Sequence, residues 1–121
     1  MTPAEIVATL QRYRFSCATE DELQRGIALA LVAPLGGETW KREVRLTPQD
    51  RPDFFLESYG IVIEVKIKGS FGNTLRQLDR YASLPAVKGI VLVTTRSVQA
   101  LRMPYMLQGK PLAVCCLHAL C

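Results

Sequence analysis

The chain has 121 residues, 49% apolar and 21% charged, with 15 basic against 11 acidic residues and a formal net charge of +4. That length suits one domain with one core, and the apolar content excludes a disordered or low-complexity chain. The charge excess permits an anionic partner but is spread evenly, +2 over residues 41–80 and +2 over the remainder, so it marks no nucleic-acid patch. In chain order, Thr2-Pro3 followed by Glu5 reads as an N-cap, a first-turn proline and a capping-box acid, opening a short helix with Ile6, Val7, Leu10 and Tyr13 as its apolar face. A second helix begins near Thr19, with Glu22 at the capping-box position and a stripe of Leu23, Ile27, Ala30 and Leu31, and runs toward Pro34. Gly36-Gly37 precedes a predicted strand from Trp40 to Leu46, and Pro48 to Pro52 reads as a turn. Asp53 to Leu56 opens the next strand, joined through Ser58-Tyr59-Gly60 to a strand over Ile61–Lys68. A loop over Gly69–Asn73 leads to a helix from about Thr74 to Ser83, then an apolar strand over Gly89–Thr95. Residues 97–107 read as a short helix, and Leu112–Leu117 as the last strand. Helix, three strands, helix, strand, helix, strand predicts an α/β domain, a mixed sheet flanked by helices.

No apolar run approaches the ~20 residues of a membrane span. The opening Met-Thr-Pro-Ala-Glu lacks the charged-then-apolar layout of a secretory signal, so a cytoplasmic location and no membrane partner are expected. Cys17, Cys115, Cys116 and Cys121 include no CxxC pair, and three of them crowd the last seven residues; this favours incidental thiols in a reducing compartment. His118 is the only histidine and has no spaced partner, which argues against a zinc site.

The segment Ile61-Val-Ile-Glu-Val-Lys-Ile-Lys68 carries the chemistry. Strand alternation puts Glu64, Lys66 and Lys68 on one face and Ile61, Ile63, Val65 and Ile67 on the other. Asp53 starts the strand that pairs with this one, so two carboxylates and an ammonium converge at one end of the sheet. Hard oxygen ligands there suit magnesium or manganese, with a lysine beside a metal-bound water.

Arg51-Pro52-Asp53, eleven residues before Glu64-Val65-Lys66, resembles the signature of the PD-(D/E)XK nuclease superfamily. The resemblance implies Asp53 and Glu64 as ligands of one or two divalent metals (Mg2+ or Mn2+) and the Val65 carbonyl as a further ligand. It implies Lys66 as the catalytic lysine, activating water or stabilising the pentavalent phosphorus. Gln77 and Tyr81 resemble the Gln-x-x-x-Tyr motif of RecB-type members, and their i,i+4 spacing puts them on one helix face, where they would orient the lysine, the metal waters or a phosphate. Glu20-Asp-Glu-Leu23 resembles the first-helix acidic motif of Holliday junction resolvases and VRR-Nuc-like proteins, which makes Glu20 a supporting metal ligand. Glu22 fits the cap of Thr19, although a two-residue change of helical phase exchanges the two glutamates. The implied fold is a restriction-endonuclease-like αβββαβ core over residues 19–117, with residues 1–18 as an N-terminal helical extension of a single domain.

Other readings stand beside these. Glu64 and Lys66 also suit a solvated strand face, since Lys68 continues the alternation. Arg76 and Arg80 suit either DNA phosphates or an exposed helix face offset by Asp79. Trp40 and Phe71 suit base stacking or packing. With Arg51, Lys68 and Tyr81 added to the two arginines on the nucleic-acid side, the expectation is a small metal-dependent DNA endonuclease leaving 5′-phosphate and 3′-hydroxyl ends. So small a surface implies specificity for DNA structure, from a homodimer, or from a larger protein complex. The rivals are a catalytically silent nuclease-fold protein that binds nucleic acid or assembles with others, and a cytosolic interaction domain.

Overall fold

The computed structural model describes residues 1–35 and 41–117. The expectations for Gly36, Gly37, Trp40, His118 and Cys121 fall outside those residues. Helix α1 (Pro3–Leu10) starts as the capping signal predicts, with Glu5 N–H donating to Thr2 Oγ1 at 3.2 Å. Helix α2 (Glu20–Leu35) is capped by Thr19, whose Oγ1 accepts from Glu22 N–H at 3.1 Å, and it buries Leu23, Ile27, Ala30 and Leu31.

The strands are β1 (Lys41–Arg42), β2 (Phe54–Leu56), β3 (Ile61–Lys66), β4 (Gly89–Thr94), β5 (Met106–Leu107) and β6 (Lys110–Cys116), in spatial order β1-β2-β3-β4-β6-β5. Antiparallel pairing joins β1, β2 and β3, and a tight connection at Gly60 (φ 66°) turns the chain from β2 into β3. Helix α3 (Phe71–Ala82) then carries the chain over to β4, which pairs parallel with β3. Helix α4 (Ser97–Arg102) and the β5–β6 hairpin complete a second parallel step, from β4 to β6.

The sheet therefore has two covered faces. One buries Ile61, Ile63, Val65, Val91 and Val93 beneath α1 and α2. The other buries Val62, Ile90 and Leu92 against Leu78, Tyr81 and Ala82 of α3. With helices on both sides, β4 is buried at every residue, which is why Gly89-Ile-Val-Leu-Val-Thr reads as an unbroken apolar run rather than an alternation.

Several expectations change. The strand predicted over 40–46 is described only at Lys41–Arg42, because Glu43 takes a left-handed φ of 52° and turns the chain out of the sheet. Helix α3 begins three residues earlier than the spacing predicts, because Ser70 Oγ accepts from Asn73 N–H at 3.1 Å and caps it. The helix predicted over 97–107 ends at Arg102, and Met106–Leu107 instead form an edge strand. Helix α1, within the N-terminal extension, packs in the same core as β3 and β4, with Ile6 and Leu10 fully buried. Cys17 is disulfide-bonded, which corrects the expectation of reduced thiols there, while Cys115 and Cys116 are free. Among the described residues no helix is long and apolar enough to cross a membrane.

Candidate active site

The site arises because β3 outruns β2. Strand β2 pairs with β3 only from Ile61 to Ile63, whereas β4 stays paired through Lys66. Beyond Ile63 the β2-side edge of β3 has backbone N–H groups with no strand to receive them, a costly condition at a half-buried edge. Two carboxylates take the strand's place. Asp53 Oδ2 accepts from Val65 N–H at 2.7 Å, and Glu20 Oε1 accepts from Ile67 N–H at 3.0 Å. Since N–H and C=O of a strand residue leave by the same edge, the Val65 carbonyl belongs to the Asp53 side as well.

Glu64 points toward α3 and is 3% exposed. Its Oε1 accepts from Asp53 N–H at 3.3 Å and from the Tyr81 hydroxyl at 3.1 Å. Its Oε2 lies 3.6 Å from Lys66 Nζ. Gln77 Nε2 in turn donates to the Tyr81 hydroxyl at 2.9 Å, so one face of α3 supplies a relay from Gln77 through Tyr81 to Glu64. Backbone and side chain of Asp53 and the Glu64-Val65 pair thus brace each other crosswise.

The electrostatics follow from this crowding. Burial, and then the Asp53 carboxylate, push Glu64 up to about 8, and Lys66 only partly opposes the rise. Burial also holds Asp53 above the usual carboxylate range, against the pull of the Val65 N–H and Lys66. Burial and the neighbouring Glu64 push Tyr81 well above an ordinary phenol, so it stays a hydrogen-bond donor. Two carboxylates facing one partly exposed ammonium leave a deficit of positive charge. A proton held on Glu64 removes it, and a bound cation is the other species able to do so.

The remaining predicted residues separate. Arg51 and Lys68 are exposed, flanking Asp53 and the end of β3. Arg76 donates to Asn73, and Arg80 is ion-paired with Asp50 at 3.1 Å. Tyr81, expected on the nucleic-acid side, has no exposed surface and touches Glu64 instead. The Phe71 ring is covered by the Arg102 guanidinium at 4.1 Å, which takes the place of a stacked base. Glu20 reaches the backbone of β3 through Ile67 N–H, and its charge is among those that raise Asp53; among the described residues no three His, Cys, Asp or Glu side chains form a group arranged to hold a metal. Glu22 accepts from Ser16 Oγ at 2.7 Å, away from the site.

Three contributors carry little signal in the sequence. Asp50 is buried and receives Thr47 Oγ1 and Arg80, yet a Thr-Pro-Gln-Asp stretch reads only as a turn. Arg96 and Gln99 both donate to the Gly69 carbonyl, at 2.7 and 3.0 Å, and pin the loop that follows β3 from nearly thirty residues away. Two concavities, of about 400 and 460 Å³, lie elsewhere: neither is lined by Asp53, Glu64 or Lys66. The site lies at the carboxyl end of β3, with Glu64 buried and Lys66 partly exposed. Comparisons with protein-family models, with curated proteins and with solved structures found no match to this chain.

Proposed function

We propose that the chain is a divalent-metal-dependent phosphodiesterase acting on DNA, of the PD-(D/E)XK kind, on a restriction-endonuclease-like core. The observation that carries this reading is the placement of Glu64: a buried carboxylate gripped by Tyr81, crowded by Asp53 and paired to Lys66. A structural strand face has no use for so costly an arrangement, and a solvated one leaves Glu64 exposed. The succession α2, β1–β3, α3, β4, antiparallel and then parallel, supports the αβββαβ assignment.

The donors fit a hard cation. Asp53, Glu64 and the Val65 carbonyl would hold magnesium or manganese, ions that accept one or two carboxylates and keep several waters. When bound, such an ion polarises a phosphoryl oxygen and acidifies water. The protein's own groups do the rest. Tyr81 and Gln77 fix the plane of the Glu64 carboxylate, and the Val65 N–H fixes Asp53. Lys66, 26% exposed beside Glu64, offers an ammonium where charge grows on a phosphorus under in-line attack. Exposed Arg51 and Lys68 stand where flanking phosphates would lie. Selectivity for a DNA structure, a homodimer cutting both strands and recruitment into a larger complex remain the three routes to specificity.

The test incubates the protein with linear, supercoiled and four-way-junction DNA in magnesium or manganese. Cleavage is expected from the wild type and a loss of at least about 100-fold from Glu64→Ala and Lys66→Ala. Equal inactivity of all three, with DNA binding retained, replaces this reading with a silent nucleic-acid-binding relative.

A further inference from the structure

Outside the Glu64 cluster, the buried charged side chain among the described residues is Asp50. It is 7% exposed, on a turn that otherwise faces solvent. Its backbone is closed into that turn: the carbonyl accepts from Leu46 N–H at 2.8 Å and Thr47 N–H at 3.4 Å. Thr47 Oγ1 donates to Asp50 Oδ2 at 2.7 Å and accepts from Asp50 N–H at 3.1 Å. The backbone bonds close the turn and the Thr47 hydroxyl holds Oδ2, while the second carboxylate oxygen, Oδ1, accepts from Arg80 Nε at 3.1 Å.

The choice of nitrogen matters. Arg80 spends Nε on Asp50, and among the described residues neither Nη has a partner, while its side chain is 55% exposed. A guanidinium gripped at Nε by a fixed, buried carboxylate has lost most of its rotamer freedom, yet it still presents its two terminal amino groups to solvent. That is the donor pattern that matches two oxygens of one phosphate. A lysine cannot serve both partners in this way.

From this geometry we infer that Asp50 is a positioning residue that makes Arg80 a preorganised phosphodiester clamp. The ligand it takes is a DNA backbone phosphate, and in this respect the inference rests on the nuclease reading. The ion pair ties the turn three residues before Asp53 to α3, the helix whose Tyr81 grips Glu64.

Charge counting and preorganisation predict opposite signs here. Removing an acid normally strengthens DNA binding. Asp50→Asn is expected instead to weaken it about threefold to tenfold, because the guanidinium loses its fixed orientation. Arg80→Lys, with unchanged charge, is expected to weaken binding by a similar factor. Arg80→Ala is expected to lower the slope of log K against log salt by about 0.9, the signature of one lost phosphate contact. The measurement is fluorescence anisotropy with a short DNA duplex in calcium across a salt series, with circular dichroism and Tm checked for each variant.

Tighter binding by Asp50→Asn, wild-type binding by Arg80→Lys, or an unchanged slope in Arg80→Ala overturns the clamp. If Asp50→Asn fails to fold, the two Arg80 variants decide. Failure of the nuclease reading looks different: a wild type that cleaves nothing while these binding signatures hold keeps the clamp and loses the enzyme. A wild type that cleaves while Arg80→Ala keeps its slope does the reverse, and one that binds no duplex loses the clamp.

Discussion

At the scale of single residues, the Tyr81 hydroxyl decides how Glu64 is held. It donates to Glu64 Oε1 and accepts from Gln77, so Tyr81→Phe removes one bond from a buried carboxylate and leaves Asp53 N–H as the only donor to that oxygen among the described residues. Gln77 is partly exposed and recovers a partner from water, so the stability loss is expected to be modest, about 1–2 kcal/mol by urea unfolding. The same bond lowers the Glu64 pKa, and its removal raises that pKa further, so metal binding by Tyr81→Phe should require a higher pH than the wild type does. Titrating metal-induced stabilisation against pH checks this, and an unshifted profile means that Tyr81 only packs. The pairing of Gln77 with Tyr81 is legible from their spacing, and the convergence of Glu64 with Lys66 from strand alternation. The direction of the tyrosine is not, because spacing says which residues share a face and nothing about which side of the sheet that face meets. Asp50 is hidden for a different reason: acids in turns are ordinarily solvated, and only the distant Arg80 makes this one otherwise.

At the scale of elements, legibility follows the strength of local patterning. Strands β3 and β4 and helices α2 and α3 are plain because period and length are unambiguous. The β5–β6 hairpin is not: its turn places Gln108 and Gly109 at φ 52° and 73°, and a glutamine there conceals a conformation that Asn-Gly would have advertised. The place of α1 in the core is equally hidden, since a short amphipathic helix reads the same whether it is appended or packed. Gly89 reveals its packing. A Cβ at that position, at the start of β4, would stand 2.7 Å from Pro3 Cγ and 3.3 Å from its Cδ, atoms of a stiff ring at the first turn of α1. Gly89→Ala is therefore expected to push α1 off the sheet edge and cost about 1–3 kcal/mol in urea unfolding. Combining it with Pro3→Ala should recover part of that loss, so that the double variant is more stable than the sum of the single effects predicts. Additive losses would place α1 away from Gly89.

At the scale of the whole molecule, the crowded carboxylates tie fold stability to pH and, on the proposed reading, to metal. In the unfolded chain Glu64 releases its proton near the ordinary 4.5, whereas burial and Asp53 hold the proton in the folded chain up to about 8. Between those values the folded state binds more protons than the unfolded state, so stability declines as pH rises. The contribution is complete below about 4.5 and lost above about 8, and Asp53, also raised, adds in the same direction. If the proposed metal site is real, a cation and a proton compete for the same carboxylate, and stabilisation by magnesium or manganese should grow as pH rises from about 5 to about 8. Glu64→Gln separates the terms. The amide oxygen still accepts from Tyr81 and Asp53 N–H, but position 64 no longer titrates and the repulsion from Asp53 is gone. In chelator at about pH 8 this variant should melt higher than the wild type, on the order of 5 °C, with the gap closing toward about pH 5. In metal it should gain little, while the wild type overtakes it, and the measurement is thermal unfolding of both proteins over that pH range with chelator or with metal. A wild type whose Tm in chelator rises with pH, or a Glu64→Gln variant stabilised by metal as much as the wild type, removes Glu64 from the cation site. The opposite result makes the site a place where the protein gives up stability at neutral pH that only a bound cation restores.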